Sequence, residues 1–152
     1  MKSIAFICTA NMCRSPMAHA IFHAEAVRRS LEVTVLSAGT CNYEGAAVVK
    51  EVRAICERHH IPMPKLVATY IAKVDVSGAT RIFAMEQMHM DYLVADPRLS
   101  PERIHLLGEF DPQQRGAEIE DPMGQDSVAF ERCYERLRDC IVHYLETTQD
   151  FR

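Results

Sequence analysis

The residues best placed to do chemistry stand near the N-terminus, in Cys8-Thr9-Ala10-Asn11-Met12-Cys13-Arg14-Ser15-Pro16. A cysteine and an arginine six positions apart, with short polar residues between, can form an arc curled around one point. Such an arc aims backbone N–H groups inward and makes a nest for an anion. A helix starting just after it adds unpaired N–H groups and the positive end of its dipole. Arg14 can close the ring with a planar fork that matches two oxygens of a phosphate. A sulfur held in that ring is favoured as the thiolate, the nucleophilic form. The chemistry is then attack of Cys8 on phosphorus, with the N–H ring and Arg14 stabilising the transferring group. Ser15 can give a hydrogen bond to the Cys8 sulfur and make it a better leaving group. Cysteine and arginine at this spacing are common by chance. Placement between a strand and a proline-opened helix is what gives the string its weight.

The elements that must position this loop can be read along the chain. Ser3 to Cys8 is an apolar run of strand length. Pro16 opens a helix that continues to about Arg29, and Ser15 just before it is suited to the N-cap. Glu32 to Ala38 alternates like a second strand, and Gly39 breaks it. Ala46 to His59 has a helical spacing of apolar residues, Arg81 to Met85 is a third strand, and Glu86 to Ala95 a helix. Ile104 to Leu107 is a fourth strand. A turn-rich stretch from Gly108 to Gly124 precedes a last helix from about Ser127 to Glu146. Strands alternating with helices predict an α/β fold in a single domain, residues 1–152. It has a four-stranded parallel sheet with helices on both faces. In such folds ligands bind at the carboxyl ends of the strands, where the Cys8 loop falls.

Composition narrows the classes. The chain has 152 residues, 48% hydrophobic and 25% charged, enough for a core of its own. A net charge of −4 without a basic tract argues against nucleic acid as the partner, and it requires any anion site to be built locally. No run approaches the length of a membrane span, and nothing resembles a secretory signal, so a cytoplasmic location is expected. The six cysteines include no C-x-x-C pair, which speaks against a zinc ribbon. His19 and His23 are four apart on the first helix but lack an intervening glutamate, and a solvated helix face is expected there instead of a metal site.

The chain resembles the low-molecular-weight protein tyrosine phosphatases. That family carries C-x-G-N-x-C-R-S-P near its N-terminus, and here the string is C-T-A-N-M-C-R-S-P. The likeness extends to Ser37-Ala38-Gly39-Thr40, to Ile104-His105-Leu106-Leu107-Gly108, and to Ile119-Glu120-Asp121-Pro122 followed by Gly124. It implies a phosphocysteine intermediate, no metal or other cofactor, and a phosphotyrosine-containing protein as substrate, with a tyrosine kinase as a candidate. Phosphate would sit on the backbone of Thr9, Ala10, Asn11, Met12, Cys13 and Ser15. Cys13 would be a resolving thiol for oxidised Cys8, and Tyr43 an aromatic wall of the cleft. Asn11 is expected to pin the loop through Ser15 and Ser37.

A leaving oxygen needs a proton, and one carboxyl group can give it and then activate water. There are three Asp-Pro pairs, at Asp96, Asp111 and Asp121. Each could be a simple turn. The family places its acid shortly before a glycine and the last helix, which selects Asp121, with Asp111 next. Several residues depart from the family pattern. Ala10 stands for a glycine and would be strained at positive φ. Leu66 and Thr69 replace the His and Arg of a His-x-Ala-Arg motif, Met123 replaces an aromatic residue, and Glu86 replaces an Asp. Three rivals share the loop: a protein-arginine phosphatase, an arsenate reductase, and an inactive phosphoprotein-binding module. Bulky Met12, where arginine-directed relatives carry Thr, favours tyrosine. The absence of a downstream cysteine pair between Cys56 and Cys133 disfavours the reductase.

Overall fold

The computed structural model describes residues 1–152. Four parallel strands, β1 (Lys2–Cys8), β2 (Val33–Gly39), β3 (Arg81–Ala84) and β4 (Ile104–Leu106), lie in the order β2-β1-β3-β4. They alternate with α1 (Arg14–Arg28), α2 (Lys50–Arg58), α3 (Gln87–Val94) and α4 (Ser127–Thr147). The expected α/β architecture is the one observed.

β1 is the centre of the sheet, and its sequence explains why. Ile4, Ala5, Phe6 and Ile7 are all fully buried, as a strand covered on both faces requires. Alternate side chains serve two cores. Ile4, Phe6 and Cys8 join the larger one with α1, α2 and α4, where Phe6 packs on Phe22 at 5.7 Å and Phe83 meets Tyr144 edge-on at 5.0 Å. Ala5 and Ile7 face the smaller core with Ile82, Leu93 and Leu99. The chain leaves β1 for β2 on one side, then crosses to β3 on the other. The carboxyl end of β1 is therefore a topological switch point, the usual place for a ligand crevice.

Three boundaries differ from the sequence reading. α1 begins at Arg14, with Cys13 at the N-cap, so Ser15 lies inside the helix and does not cap it. Pro16 fits because the first turn has no intrahelical use for its N–H. α2 begins at Lys50, not Ala46, because residues 46–48 pair with residues 66–68. Ala68 N–H donates to the Ala46 carbonyl at 2.7 Å and Val48 N–H to that of Leu66 at 2.9 Å. Gly39 does not break β2 but ends it, in register with Cys8.

Candidate active site

Cys8 is the last residue of β1, and the chain bends from Thr9 to Cys13 before α1 starts. The carbonyls of this arc are tied outward. Thr9 O accepts the N–H of Cys41 at 2.9 Å, and Met12 O that of Val49 at 3.0 Å. In a trans peptide the carbonyl and the next N–H point opposite ways, so the N–H groups of Ala10 and Cys13 turn into the arc. The unpaired N–H groups of the α1 terminus join them.

Asn11 has a φ of 57°, the one left-handed residue of the loop. Asparagine tolerates this conformation better than most residues, and its side chain secures it. Nδ2 donates to Ser15 Oγ at 2.7 Å, and Oδ1 accepts the Thr69 N–H at 2.8 Å. Ser37, the other expected partner, bonds His19 Nδ1 instead, at 3.0 Å. His19 is accordingly half-buried, not on a solvated face. Ala10 escapes the anticipated strain, because positive φ falls on Asn11 and not on it. The support that the family's missing His and Arg would give near residue 69 comes here from the Thr69 backbone and from Lys65. The Thr69 N–H holds Asn11, its carbonyl holds the Gly39 N–H at 2.9 Å, and Lys65 Nζ donates to its Oγ1 at 2.7 Å.

The two loop cysteines are not equivalent. Cys8 Sγ lies 2.9 Å from Ser15 Oγ and accepts the Asn11 N–H at 3.3 Å. With Asn11 Nδ2 donating to Ser15 Oγ, the serine hydroxyl is left to donate to sulfur. Cys13 is buried, and burial, reinforced by the nearby sulfurs of Cys133 and Cys8, pushes its thiol far above the ordinary range. With Cys8 reduced beside it, Cys13 is thus held as the thiol.

Arg14 is 1% exposed, and one side of its fork, Nη1, is committed to the protein. Nη1 donates to the Glu86 carboxylate and, at 2.8 Å, to the Ile119 carbonyl, while Nη2 lies 3.6 Å from Asp121 Oδ2. Burial works against its charge, but the Cys8 sulfur and Glu86 more than offset that and raise its pKa. Glu86, where the family carries an Asp, is thus a direct partner of Arg14. It anchors the arginine.

Asp121 shares one hollow with Cys8, Thr9, Ala10, Met12, Cys13, Arg14 and Met123. Asp111 is elsewhere engaged. One of its oxygens accepts the N–H groups of Gln113 and Gln114, and the other takes Arg136 Nε and Nη2 at 3.1 and 3.0 Å. Burial disfavours its charge, yet these bonds prevail and hold the carboxyl below its usual range. A group locked as carboxylate is a poor acid. Asp96 is likewise tied, its pKa lowered to about 2 chiefly by Arg98. Tyr43 is exposed and does not line the hollow, whose apolar side is formed by Met12 and Met123.

Two contributors escaped the sequence reading. His89 is 1% exposed and lies 2.8 Å from Thr9 Oγ1. Gly39 packs its bare Cα against the loop backbone, where a Cβ would come within 2.6 Å of Thr9 O. The available signal for His89 was its place with Glu86 in a Glu-x-x-His string, just beyond a strand end facing the crevice.

The comparisons agree with this architecture. The human low molecular weight phosphotyrosine protein phosphatase is 32% identical over 151 residues, covering 95% of this chain and 94% of that protein. The protein-arginine-phosphatase of Bacillus subtilis is 28% identical over 143 residues, covering 91% of each. The crystal structure of a low molecular weight protein tyrosine phosphatase from T. tengcongensis superposes with a TM-score of 0.88 at 27% identity, over 97% of this chain and all of that one. The family model described as low molecular weight phosphotyrosine protein phosphatase matches residues 3–150, and the chain belongs to that family.

Proposed function

We propose that this protein hydrolyses phosphotyrosine in proteins through a phosphocysteine at Cys8. The observation that carries the reading is the convergence of the doubly hydrogen-bonded Cys8 sulfur, the Arg14 fork and the Asp121 carboxyl on one hollow. The phosphate rests on the inward N–H groups of the loop, and Arg14 holds two of its oxygens. Cys8 Sγ forms a bond to phosphorus as the bond to the tyrosyl oxygen breaks, and Asp121 gives that oxygen its proton. The Asp121 carboxylate then takes a proton from water, which attacks phosphorus. The S–P bond breaks, and the thiolate returns to the hydrogen bonds of Ser15 and Asn11. No metal or other cofactor has a step in this scheme.

The apolar side of the hollow, Met12 and Met123, suits an aryl ring and favours phosphotyrosine over phosphoarginine. A tyrosine kinase is a candidate partner, and the cytoplasm the proposed location. No helix is long and apolar enough to cross a membrane. Cys13, on the same loop as Cys8, is proposed to capture a Cys8 sulfenic acid as a disulfide after mild peroxide. Peptide mapping that finds Cys8 bridged elsewhere refutes that role.

Turnover of p-nitrophenyl phosphate tests enzyme against binding module, and Cys8→Ser should abolish it while phosphate binding survives. A panel of phosphotyrosine, phosphoserine and phosphoarginine peptides tests the substrate. Preference for phosphoarginine would overturn the tyrosine reading.

A further inference from the structure

We propose that His89 is a positioning residue, which holds the phosphate loop in its anion-binding shape through the side chain of Thr9. The inference rests on the phosphatase reading above and concerns how that site is kept in register. The loop needs support at both ends, and the first turn of α3 reaches both. Glu86, the N-cap of α3, grips Arg14 at the far end. His89, one turn on, reaches Thr9, the residue immediately after the nucleophile.

The proton on the ring is assigned by its partners. The Glu86 backbone N–H donates to His89 Nδ1 at 3.1 Å, so Nδ1 must be the acceptor. The hydrogen is then on Nε2, and Nε2–H donates to Thr9 Oγ1 at 2.8 Å. Burial and the nearby Arg14 charge keep the ring neutral, with a pKa lowered to about 4, so this tautomer persists at neutral pH. At 1% exposure, water has no access to replace either bond. His89 thereby fixes Thr9 on one side and the backbone of Glu86 on the other. Thr9 is also where the loop is closest to Gly39, and its carbonyl takes the Cys41 N–H. A shift of Thr9 would carry the Ala10 N–H out of the ring. A histidine that merely filled the core would have no such dependence on the Thr9 hydroxyl.

The test measures kcat/KM for p-nitrophenyl phosphate and the inhibition constant of inorganic phosphate in Thr9→Val, Thr9→Ser, His89→Leu and the double variant Thr9→Val/His89→Leu. Thr9→Val keeps the shape and loses the hydroxyl. It should lower kcat/KM and weaken phosphate inhibition by about 10-fold, the net worth of one buried hydrogen bond. Thr9→Ser should recover most of that loss. His89→Leu should lose at least as much, and the double variant no more than His89→Leu alone, because both remove one interaction. Wild-type constants in Thr9→Val, or losses that multiply in the double variant, would overturn the proposal. Should His89→Leu fail to fold, the Thr9 pair decides by itself. Should the wild type show no turnover, phosphate binding to Thr9→Val still tests the clamp, and only the phosphatase reading has failed.

Discussion

Gly39→Ala is the substitution whose effect follows most directly from the geometry. Gly39 ends β2 and stands behind the phosphate loop, with the Gly39 N–H held by the Thr69 carbonyl. Its φ is not positive, so alanine meets no backbone strain there. The obstacle is contact alone. A Cβ would lie 2.6 Å from Thr9 O, 2.7 Å from Ala10 C and 2.9 Å from Asn11 N, all backbone atoms of the loop. Ordinary contact begins near 3.4 Å, so the loop must withdraw by about 0.8 Å (3.4 − 2.6) at its nearest point. It is not free to do so, because Cys41 N–H holds Thr9 and Thr69 N–H holds Asn11. Overpacking of this kind costs about 1–3 kcal/mol of stability. A misplacement approaching 1 Å at donors that bind the transferring group costs about 100-fold in rate. Thermal melts and kcat/KM for p-nitrophenyl phosphate read the two effects. Gly45→Ala is the control: Gly45 has a φ of 82° but open space around it, so stability should fall with little change in activity. Wild-type kinetics in Gly39→Ala would refute the close packing of β2 against the loop.

Three further outcomes are expected. Asp121→Asn should slow phosphotyrosine hydrolysis by about 10²–10⁴-fold and slow phosphocysteine formation from an aryl ester with a good leaving group much less, whereas Asp111→Asn should lose stability without that dependence on leaving group; the reverse pattern would show that the wrong aspartate is assigned. Glu86→Gln removes the charged partner of Arg14 and should lower kcat/KM by about 10-fold, chiefly through weaker phosphate binding; unchanged phosphate inhibition would show that Arg14 needs no anchor. Because the folded-state pKa of His89 is lowered from 6.5 to about 4 by burial and Arg14, its contribution to stability is present above pH 6.5 and is lost as the pH falls from there toward 4. The amount is about 3 kcal/mol. Urea melts between pH 7.5 and 4.5 should show a steeper loss in the wild type than in His89→Gln, and parallel curves would contradict the buried neutral ring.

What could be read from the sequence was what local pattern decides. The β1 run, the Pro-opened helix and the alternation of strands with helices fix the layers, and Cys8 to Ser15 carries its chemistry in consecutive residues. The choice of Asp121 rested on the family resemblance, which places the acid before a glycine and the last helix. The misreadings share a physical cause, namely that they depend on partners far along the chain. Ala46 to Val49 looked helical because nothing nearby announces their pairing with residues 66–68. Glu86 and His89 are separated from Arg14 and Thr9 by 72 and 80 positions, and only the β1–β3 pairing brings them together. The tie that holds Asp111 as a carboxylate runs to Arg136 on α4, which nothing near Asp111 in the chain announces.

A covalent phosphoenzyme on the Cys8 sulfur can be caught directly. Acid quench of the wild type during turnover of p-nitrophenyl phosphate, followed by peptide mass mapping, should find one phosphoryl group on the peptide that contains Cys8. Because that peptide can also contain Cys13, fragmentation must place the group on Cys8, and Cys8→Ser must show no cysteine adduct. The same adduct should build up further in Asp121→Asn, where water is no longer activated to break it. A phosphoryl group on Cys13 or on a histidine, or rapid turnover with no covalent intermediate at all, would contradict the account.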